Sequence, residues 1–153
     1  MARYTGNKYD VGLVPITADG RDDTITVKSF ATILAAGAAL ANGDVIDLCV
    51  IPANHSIVGL ALFSGDLDSN AAPTLTFSAG LMDAGGAALD TVFVADSTLG
   101  QAGGTLAIPA ATTMFTTGSA ATDKVLAIEV TANAATKGAA DAVIGCVVQY
   151  VAD

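Results

Sequence analysis

The sequence is poor in the residues from which most catalytic and metal sites are built. Its 153 residues include one histidine, two cysteines and no tryptophan, and only 14% are charged. His55 has no nucleophile motif beside it, so its turn-like surroundings predict an exposed turn residue, not a catalytic base. Cys49 and Cys146 each lie in an apolar run, which predicts two buried, reduced thiols; pairing across neighbouring strands stays open. We therefore expect no enzyme, no cofactor and no small-molecule substrate.

Basic residues and long apolar runs are also scarce. Six Lys and Arg oppose 15 Asp and Glu, for a net charge of -9. A chain this acidic lacks the basic surface that nucleic-acid binding needs. The longest nearly apolar run, Phe30–Ala41, has about 12 residues, whereas a membrane-spanning helix needs ~20. We expect neither nucleic acid nor membrane as a partner.

The residues that are abundant favour β-structure with many turns. There are 16 glycines, and every acidic residue except Glu129 is Asp, which prefers turns and caps to helix surfaces. Short β-branched and alternating segments recur between turn residues, and no long amphipathic helix separates them. The sequence predicts an all-β protein: an antiparallel β-sandwich of eight or nine strands, of the jelly-roll type.

Alternation predicts which side chains face the core. The clearest segment is Thr74–Leu81, and Lys124–Thr131 shows the same pattern. In Thr24–Lys28 the apolar residues Ile25 and Val27 are expected to face inward. The segment Ser29–Ala41 fits either a strand or a short helix. The predicted inward residues of the two clear strands are Leu75, Phe77, Ala79, Leu81, Leu126, Ile128 and Val130.

Residues 1–22 differ from the rest of the chain and predict an extended N-terminal arm before a sandwich domain at 23–153. The arm is polar and has too few apolar residues for a core of its own. It is either a frayed terminus or a segment laid on a neighbouring molecule. In the second case its apolar and aromatic side chains are the contact candidates: Tyr4, Tyr9, Val11 and Leu13.

Two strand candidates are apolar on both faces, Asp44–Ile51 and Ala142–Val151. One face of an antiparallel sandwich normally meets solvent and is polar, so such strands predict a second cover, from loops or from another subunit. We take Ile46, Leu48 and Val50 as interface candidates on the first of them. Pro52 ends this strand, and the short turn before Ser56–Phe63 predicts a hairpin.

An Asp-rich loop gives a weak metal hypothesis. Asp66, Asp68 and Asn70 place oxygen ligands at alternate positions, as at the start of a calcium loop. The EF-hand pattern then requires glycine and glutamate where this chain has Ala71 and Phe77. A turn between strands is the preferred interpretation, and an ion site at these three residues is the alternative.

The segment Ala41-Asn42-Gly43-Asp44-Val45-Ile46-Asp47-Leu48-Cys49-Val50-Ile51-Pro52-Ala53-Asn54 resembles a stretch common in small structural proteins of tailed-phage virions. The following strand, the Asp-rich loop and the apolar C-terminal strand with Tyr150 continue the likeness. The chain resembles jelly-roll decoration, or cement, proteins of the capsid.

The resemblance implies a partner, the major capsid protein of the same phage. It also implies a homo-oligomer (dimer or trimer), a place on the capsid surface of the virion after synthesis in the host cytoplasm, and no catalytic residues. The alternatives are another virion component, such as a tail-tube, head–tail joining or minor capsid protein, and then a carbohydrate-binding β-sandwich.

Overall fold

The computed structural model describes residues 3–5, 25–37, 39–83, 85–109, 122–137 and 141–152. In this part of the chain the regular structure is almost entirely β, with one short 3-10 helix at Leu99–Gln101, and no helix is long and apolar enough to cross a membrane. The strands are β1 (Arg3–Thr5), β2 (Thr26–Leu34), β3 (Val45–Ile51), β4 (His55–Ser64), β5 (Thr76–Met82), β6 (Leu89–Ser97), β7 (Gly104–Ile108), β8 (Lys124–Ala132) and β9 (Ala142–Ala152).

The strands form two sheets whose order confirms the predicted sandwich. One sheet has the order β1-β3-β8-β5-β6 and the other β2-β9-β4-β7. All neighbours are antiparallel except β1 and β3. The chain passes from one sheet to the other at almost every connection, so β2 to β9 have the eight-stranded jelly-roll arrangement. The segment Ser29–Ala41, left open by its sequence, is strand up to Leu34.

The predicted hairpin around Pro52 is wrong. Strands β3 and β4 are consecutive in sequence but belong to opposite sheets, β3 beside β8 and β4 beside β9. The turn between them therefore crosses the edge of the sandwich. Asn54 adopts a positive φ of 57° there, a conformation that asparagine tolerates better than most residues. A turn this short looks like a hairpin in sequence whether or not its strands pair.

Part of the predicted N-terminal arm lies in a sheet. Strand β1 pairs in parallel with the start of β3, with Arg3 opposite Val45 and Thr5 opposite Asp47. It is the edge strand of the five-stranded sheet. The remaining residues of the arm lie outside the described part of the chain.

The core between the sheets contains the inward residues predicted for β5 and β8. Phe77, Leu126 and Ile128 are fully buried, and so are the other predicted inward residues of these strands. The opposite sheet contributes alternate residues of its central strands, chiefly Ile57, Leu60 and Leu62 from β4 and Ile144, Cys146, Val148 and Tyr150 from β9. The inward residues of the two clearest alternating patterns are thus confirmed, whereas Ser78, which the pattern places outward, is also buried.

The predicted orientation of β2 is wrong. Ile25 and Val27 are exposed to 54% and 44%, while Thr32 and Leu34 are buried. Thr32 lies opposite Ile144 and Leu34 opposite Ala142, and directly opposed residues of neighbouring strands point to the same side of a sheet. Because side chains alternate with a period of two, inward Thr32 and Leu34 force Val27 outward.

A β-bulge changes the faces of β3. Asp47 lies opposite Ala127, but Cys49 lies opposite the next residue of β8, Leu126, so Leu48 is the extra residue. After the bulge, Cys49 faces the core and Val50 faces outward. Ile46, Leu48 and Val50 therefore do not share one face, because the bulge shifts the alternation by one residue.

Gly145→Ala is expected to lower the free energy of unfolding by about 1–3 kcal/mol, the usual effect of overpacking. A Cβ at this position of the central strand β9 would collide with the carbonyl oxygen of Phe30 and lie 2.5 Å from Cζ of Phe63. Urea unfolding measures the change. Gly65→Ala is the control, since its Cβ would be at least 3.6 Å from its nearest neighbours. Equal stability losses in the two variants would contradict the prediction.

Candidate functional site

The Asp-rich loop is organised around the buried carboxylate of Asp68. Its Oδ2 accepts hydrogen bonds from three backbone N–H groups at 2.8–3.1 Å, and its Oδ1 accepts one at 2.9 Å and a longer one at 3.4 Å. The donors to Oδ2 are Thr74, Leu75 and Ala135, and those to Oδ1 are Thr136 and Asn70. The carboxylate thus joins the loop after β4, the chain entering β5 and the chain leaving β8.

The other two predicted ion ligands also bond to their own loop. Asp66 Oδ1 accepts the N–H of Asp68 at 3.0 Å, and Asn70 Oδ1 accepts that of Ala72 at 2.9 Å. Such contacts two residues along the chain are Asx turns. No group of three or more His, Cys, Asp or Glu side chains within the described ranges is placed to hold a metal ion. The geometry is that of a backbone anchor.

The hydrogen bonds determine the acidity of Asp68. Burial by itself would raise the pKa of the carboxyl group, but the backbone donors of Thr136, Ala135, Thr74 and Leu75 lower it from 3.8 to about 2. Hydrogen bonds to the charged form favour that form. The stabilisation is therefore fully present above about pH 4 and is lost as the pH falls toward 2.

Asp68→Asn is expected to destabilise the fold by about 2 kcal/mol near neutral pH, since the pKa shift corresponds to roughly this free energy. An amide also places an NH₂ group against backbone donors. Unfolding measured from pH 6 to 2 should show a smaller acid-dependent loss in the variant than in the wild type. Asp66→Asn, on the exposed residue of the same loop, is the control. A rise in melting temperature with calcium, abolished by Asp68→Asn, would instead support the ion hypothesis.

The two cysteines meet in the core from opposite sheets. Cys49 on β3 and Cys146 on β9 are both buried and free. A side-chain hydrogen bond with Cys49, together with burial, raises the pKa of the Cys146 thiol far above its ordinary value. The structure confirms the predicted buried, reduced thiols.

Cys146 is expected to react with a thiol reagent only on unfolding, because the thiolate is the reactive form and burial disfavours it. Ellman's reagent at pH 8 should label the native wild type very slowly and the urea-unfolded chain fully. Cys49→Ala, which leaves only this thiol, assigns the signal to Cys146. Rapid labelling of the folded variant would contradict the prediction.

His55 is not the exposed turn residue expected from sequence. It is the first residue of β4, half-buried, with its ring edge-on to that of Tyr150 at a centroid distance of 5.5 Å. Its Nδ1 lies 2.8 Å from the carbonyl oxygen of Ala53. These contacts explain the residue as part of the packing at the start of β4.

The predicted interface residues are placed very differently from one another. Ile46 and Leu48 are buried in the core of the single chain, whereas Val50 is exposed to 49%. Tyr4 lies in β1, opposite Ile46 in the parallel ladder. Tyr9, Val11 and Leu13 lie outside the described residues. Of the three candidates on β3, only Val50 is accessible on the folded chain.

Sequence reasoning missed an extensive apolar surface, the outer side of the four-stranded sheet. Ile33 on β2 and Val143 on β9 lie directly opposite each other and are exposed to 55% and 39%. Further along, Phe63 lies over Gly145, and the Gln149 side chain lies over Gly59. We call this surface the uncharged face; the register places on it Val27, Ser29, Ala31, Ile33, Gly59, Ala61, Phe63, Thr105, Ala107, Val143, Gly145, Val147 and Gln149.

The two sheets differ in charge. Strands β2, β4, β7 and β9 contain no Asp or Glu, and their only Lys or Arg is Lys28. Lys28 directly follows Val27 in β2, so its side chain points to the other side of the sheet, away from the uncharged face. The five-stranded sheet carries Asp47, Asp90, Asp96 and Glu129. The absence of acids from four strands of an acidic chain was the sequence signal for this face, and it becomes visible only once the strands are assigned to sheets.

Comparison with solved structures identifies the setting in which this fold occurs. The chain matches one in the "Capsid of Ralstonia phage GP4" with a TM-score of 0.76 and 28% identity, over 99% of both chains. It matches one in the "Cyanophage Pam1 capsid asymmetric unit" with a TM-score of 0.68 and 28% identity, over 96% of this chain and 98% of that one. The chain is a structural protein of a phage virion.

No protein-family model and no curated protein matches the chain. The structural matches run from end to end, so the neighbours are chains of nearly the same length. They support a capsid-related structural role over an enzymatic one, and assembly into a capsid together with other capsid components.

Proposed function

We propose that the protein is a capsid decoration, or cement, protein that binds the outer surface of the shell and stabilises contacts between capsomers. The observation that carries this proposal is the end-to-end match, at 28% identity, with chains of similar length in two phage capsids. Its partner is the major capsid protein of the same phage. Both neighbours come from capsids, which favours this role over a tail-tube, head–tail joining or carbohydrate-binding one.

The charge of the chain supports a position on the outside. A protein that builds the shell wall has an inner side toward the packaged genome, which is a dense array of phosphates. This chain has a net charge of -9 and only six basic residues, so the genome would repel it. An outer position keeps the acidic surface in solvent, where it favours solubility.

Stabilisation follows from mass action. A protein that binds the assembled shell but not its separated subunits shifts the equilibrium toward the assembled state. A molecule that contacts two capsomers at once gains from the high effective concentration of the second contact. Modest individual affinities are then sufficient, and no chemical step is needed.

The N-terminal arm is the proposed shell contact, with Tyr4, Tyr9, Val11 and Leu13 as its anchors. It begins in β1 at the edge of the five-stranded sheet, which ties its first residues to the sandwich. Tyrosine suits such a contact because a rigid ring buries apolar area while its hydroxyl keeps a hydrogen bond.

The decisive test uses phage particles made without this protein. We expect closed shells to form in its absence and to bind the purified chain saturably from outside, as counted by cryo-electron microscopy and gel densitometry. Bound particles should withstand a higher temperature before releasing DNA. If no shell forms without the chain, it is a building block of the wall instead, and the decoration proposal fails.

Deletion of residues 1–22 is expected to leave the sandwich folded and to abolish shell binding. The core of the described domain comes from β2 to β9, so the thermal transition should persist. Co-sedimentation with the shells measures binding. Tyr4→Ala and Tyr9→Ala, made singly, test the two anchors. Unchanged co-sedimentation of the truncated chain would contradict the arm as the contact.

A further inference from the structure

We propose that Cys49 and Cys146 form a disulfide across the two sheets of the sandwich when the virion meets a peroxide outside its host cell. The inference goes beyond shell binding, because it concerns a covalent change within a single chain. It rests on four observations: the contact between the thiols, their places in the fold, the access to Cys49, and the change of surroundings that a virion protein undergoes.

The two thiols already touch. Cys49 and Cys146 belong to one buried core cluster, and their side chains are hydrogen-bonded to each other. The chain has no other cysteine, so neither thiol has a competing partner within it. Leu126 lies opposite Cys49 in its sheet, and Phe30 and Leu62 lie on either side of Cys146 in the other. A disulfide brings two sulfur atoms to ~2.05 Å, and side chains that already touch need little movement to reach it.

The bond joins parts of the fold that are far apart in sequence. Cys49 lies on β3 of the five-stranded sheet, and Cys146 lies on β9, between β2 and β4 of the other sheet. The loop that the disulfide closes contains every strand from β4 to β8. A cross-link restricts the unfolded chain, and this effect grows with the length of the closed loop. Antibody domains likewise carry a disulfide between two packed sheets, so a sandwich accommodates such a bond.

Cys49 is the thiol that an oxidant reaches first. It is 8% exposed, whereas Cys146 is fully buried. It follows the β-bulge at Leu48, and the pairing of β1 with β3 ends before it, at Asp47. Among the described strands only β8 therefore lies beside this segment of β3, and a segment paired on one side opens locally more easily than a central one. Cys146 stays protonated, because its hydrogen bond with Cys49 and its burial raise its pKa, and thiols react with oxidants as thiolates.

The oxidation needs an oxidant small enough to enter the core, and hydrogen peroxide is one. It oxidises the Cys49 thiol to a sulfenic acid and leaves as water. The Cys146 sulfur then attacks the sulfenic sulfur, and the displaced hydroxyl group takes the Cys146 proton and leaves as a second water. In all, two thiols lose two electrons and two protons, and one peroxide becomes two waters. Ellman's reagent is far larger and charged, so slow labelling of the folded chain is compatible with this reaction.

The surroundings of a virion protein change from reducing to oxidising. A phage protein is made inside a cell, where thiols stay reduced, whereas disulfides persist on virion surfaces. Inside the cell, free thiols leave the sandwich able to fold without a competing cross-link. Outside the cell, the disulfide stabilises the same fold. The pair thus adds stability after release, when the chain can no longer be replaced by newly made protein.

The test compares the reduced and the peroxide-treated full-length chain. The folded protein is treated with hydrogen peroxide in native buffer, the peroxide is removed, and the remaining free thiols are alkylated after unfolding in urea. We expect non-reducing peptide mapping to find Cys49 linked to Cys146 within one chain. The melting temperature should rise by roughly 5–15 °C and return to its initial value after reduction with dithiothreitol.

Cys49→Ala and Cys146→Ala are the matched controls, because each leaves one thiol without a partner. Peroxide should not raise the melting temperature of either variant above that of its own untreated sample. The treated and untreated wild type carry the test even if a variant does not fold. Thiols that stay free, oxygen added to Cys49 without a linkage, or a disulfide that leaves the melting temperature unchanged would each overturn the proposal. No shell is present in the experiment, so its failure is distinguishable from failure of the decoration role.

Discussion

The alternation of side chains along β9 is the constraint on which the sandwich depends. Ile144, Cys146, Val148 and Tyr150 face the core and are buried, and β2 and β4 pair with β9 on either side. Once these residues are inward, the register determines which residues of both neighbours face inward and which face solvent. The core and the uncharged face are therefore two results of one set of strand pairings.

A second constraint acts at the end of the sandwich. The carboxylate of Asp68 accepts backbone hydrogen bonds from the chain entering β5 and from the chain leaving β8, two segments far apart in sequence. A buried charge is costly unless it is well bonded, and here five donors surround it. The loop thus has a structural explanation for the acidic pattern that in sequence suggested an ion site.

The two sheets have become chemically distinct surfaces of one small domain. The acids carried by strands all lie on the five-stranded sheet, and the four-stranded sheet presents an apolar, charge-free outer side. Such a division suits a protein that must remain soluble and yet join an assembly. It agrees with the end-to-end likeness to chains of two phage capsids.

Composition and local pattern determined the fold class, the two clearest strands and the buried cysteines, because these depend on turn chemistry and on alternation within one segment. Local pattern was wrong for Ile25 and Val27, and it could not show the bulge at Leu48 or the crossing of the turn after Pro52 between sheets. Those features depend on which strand lies beside which. Only the tertiary structure decided the pairing. It places Thr32 and Leu34 of β2 opposite the inward residues Ile144 and Ala142 of β9, and since side chains alternate along a strand, Val27 then faces solvent.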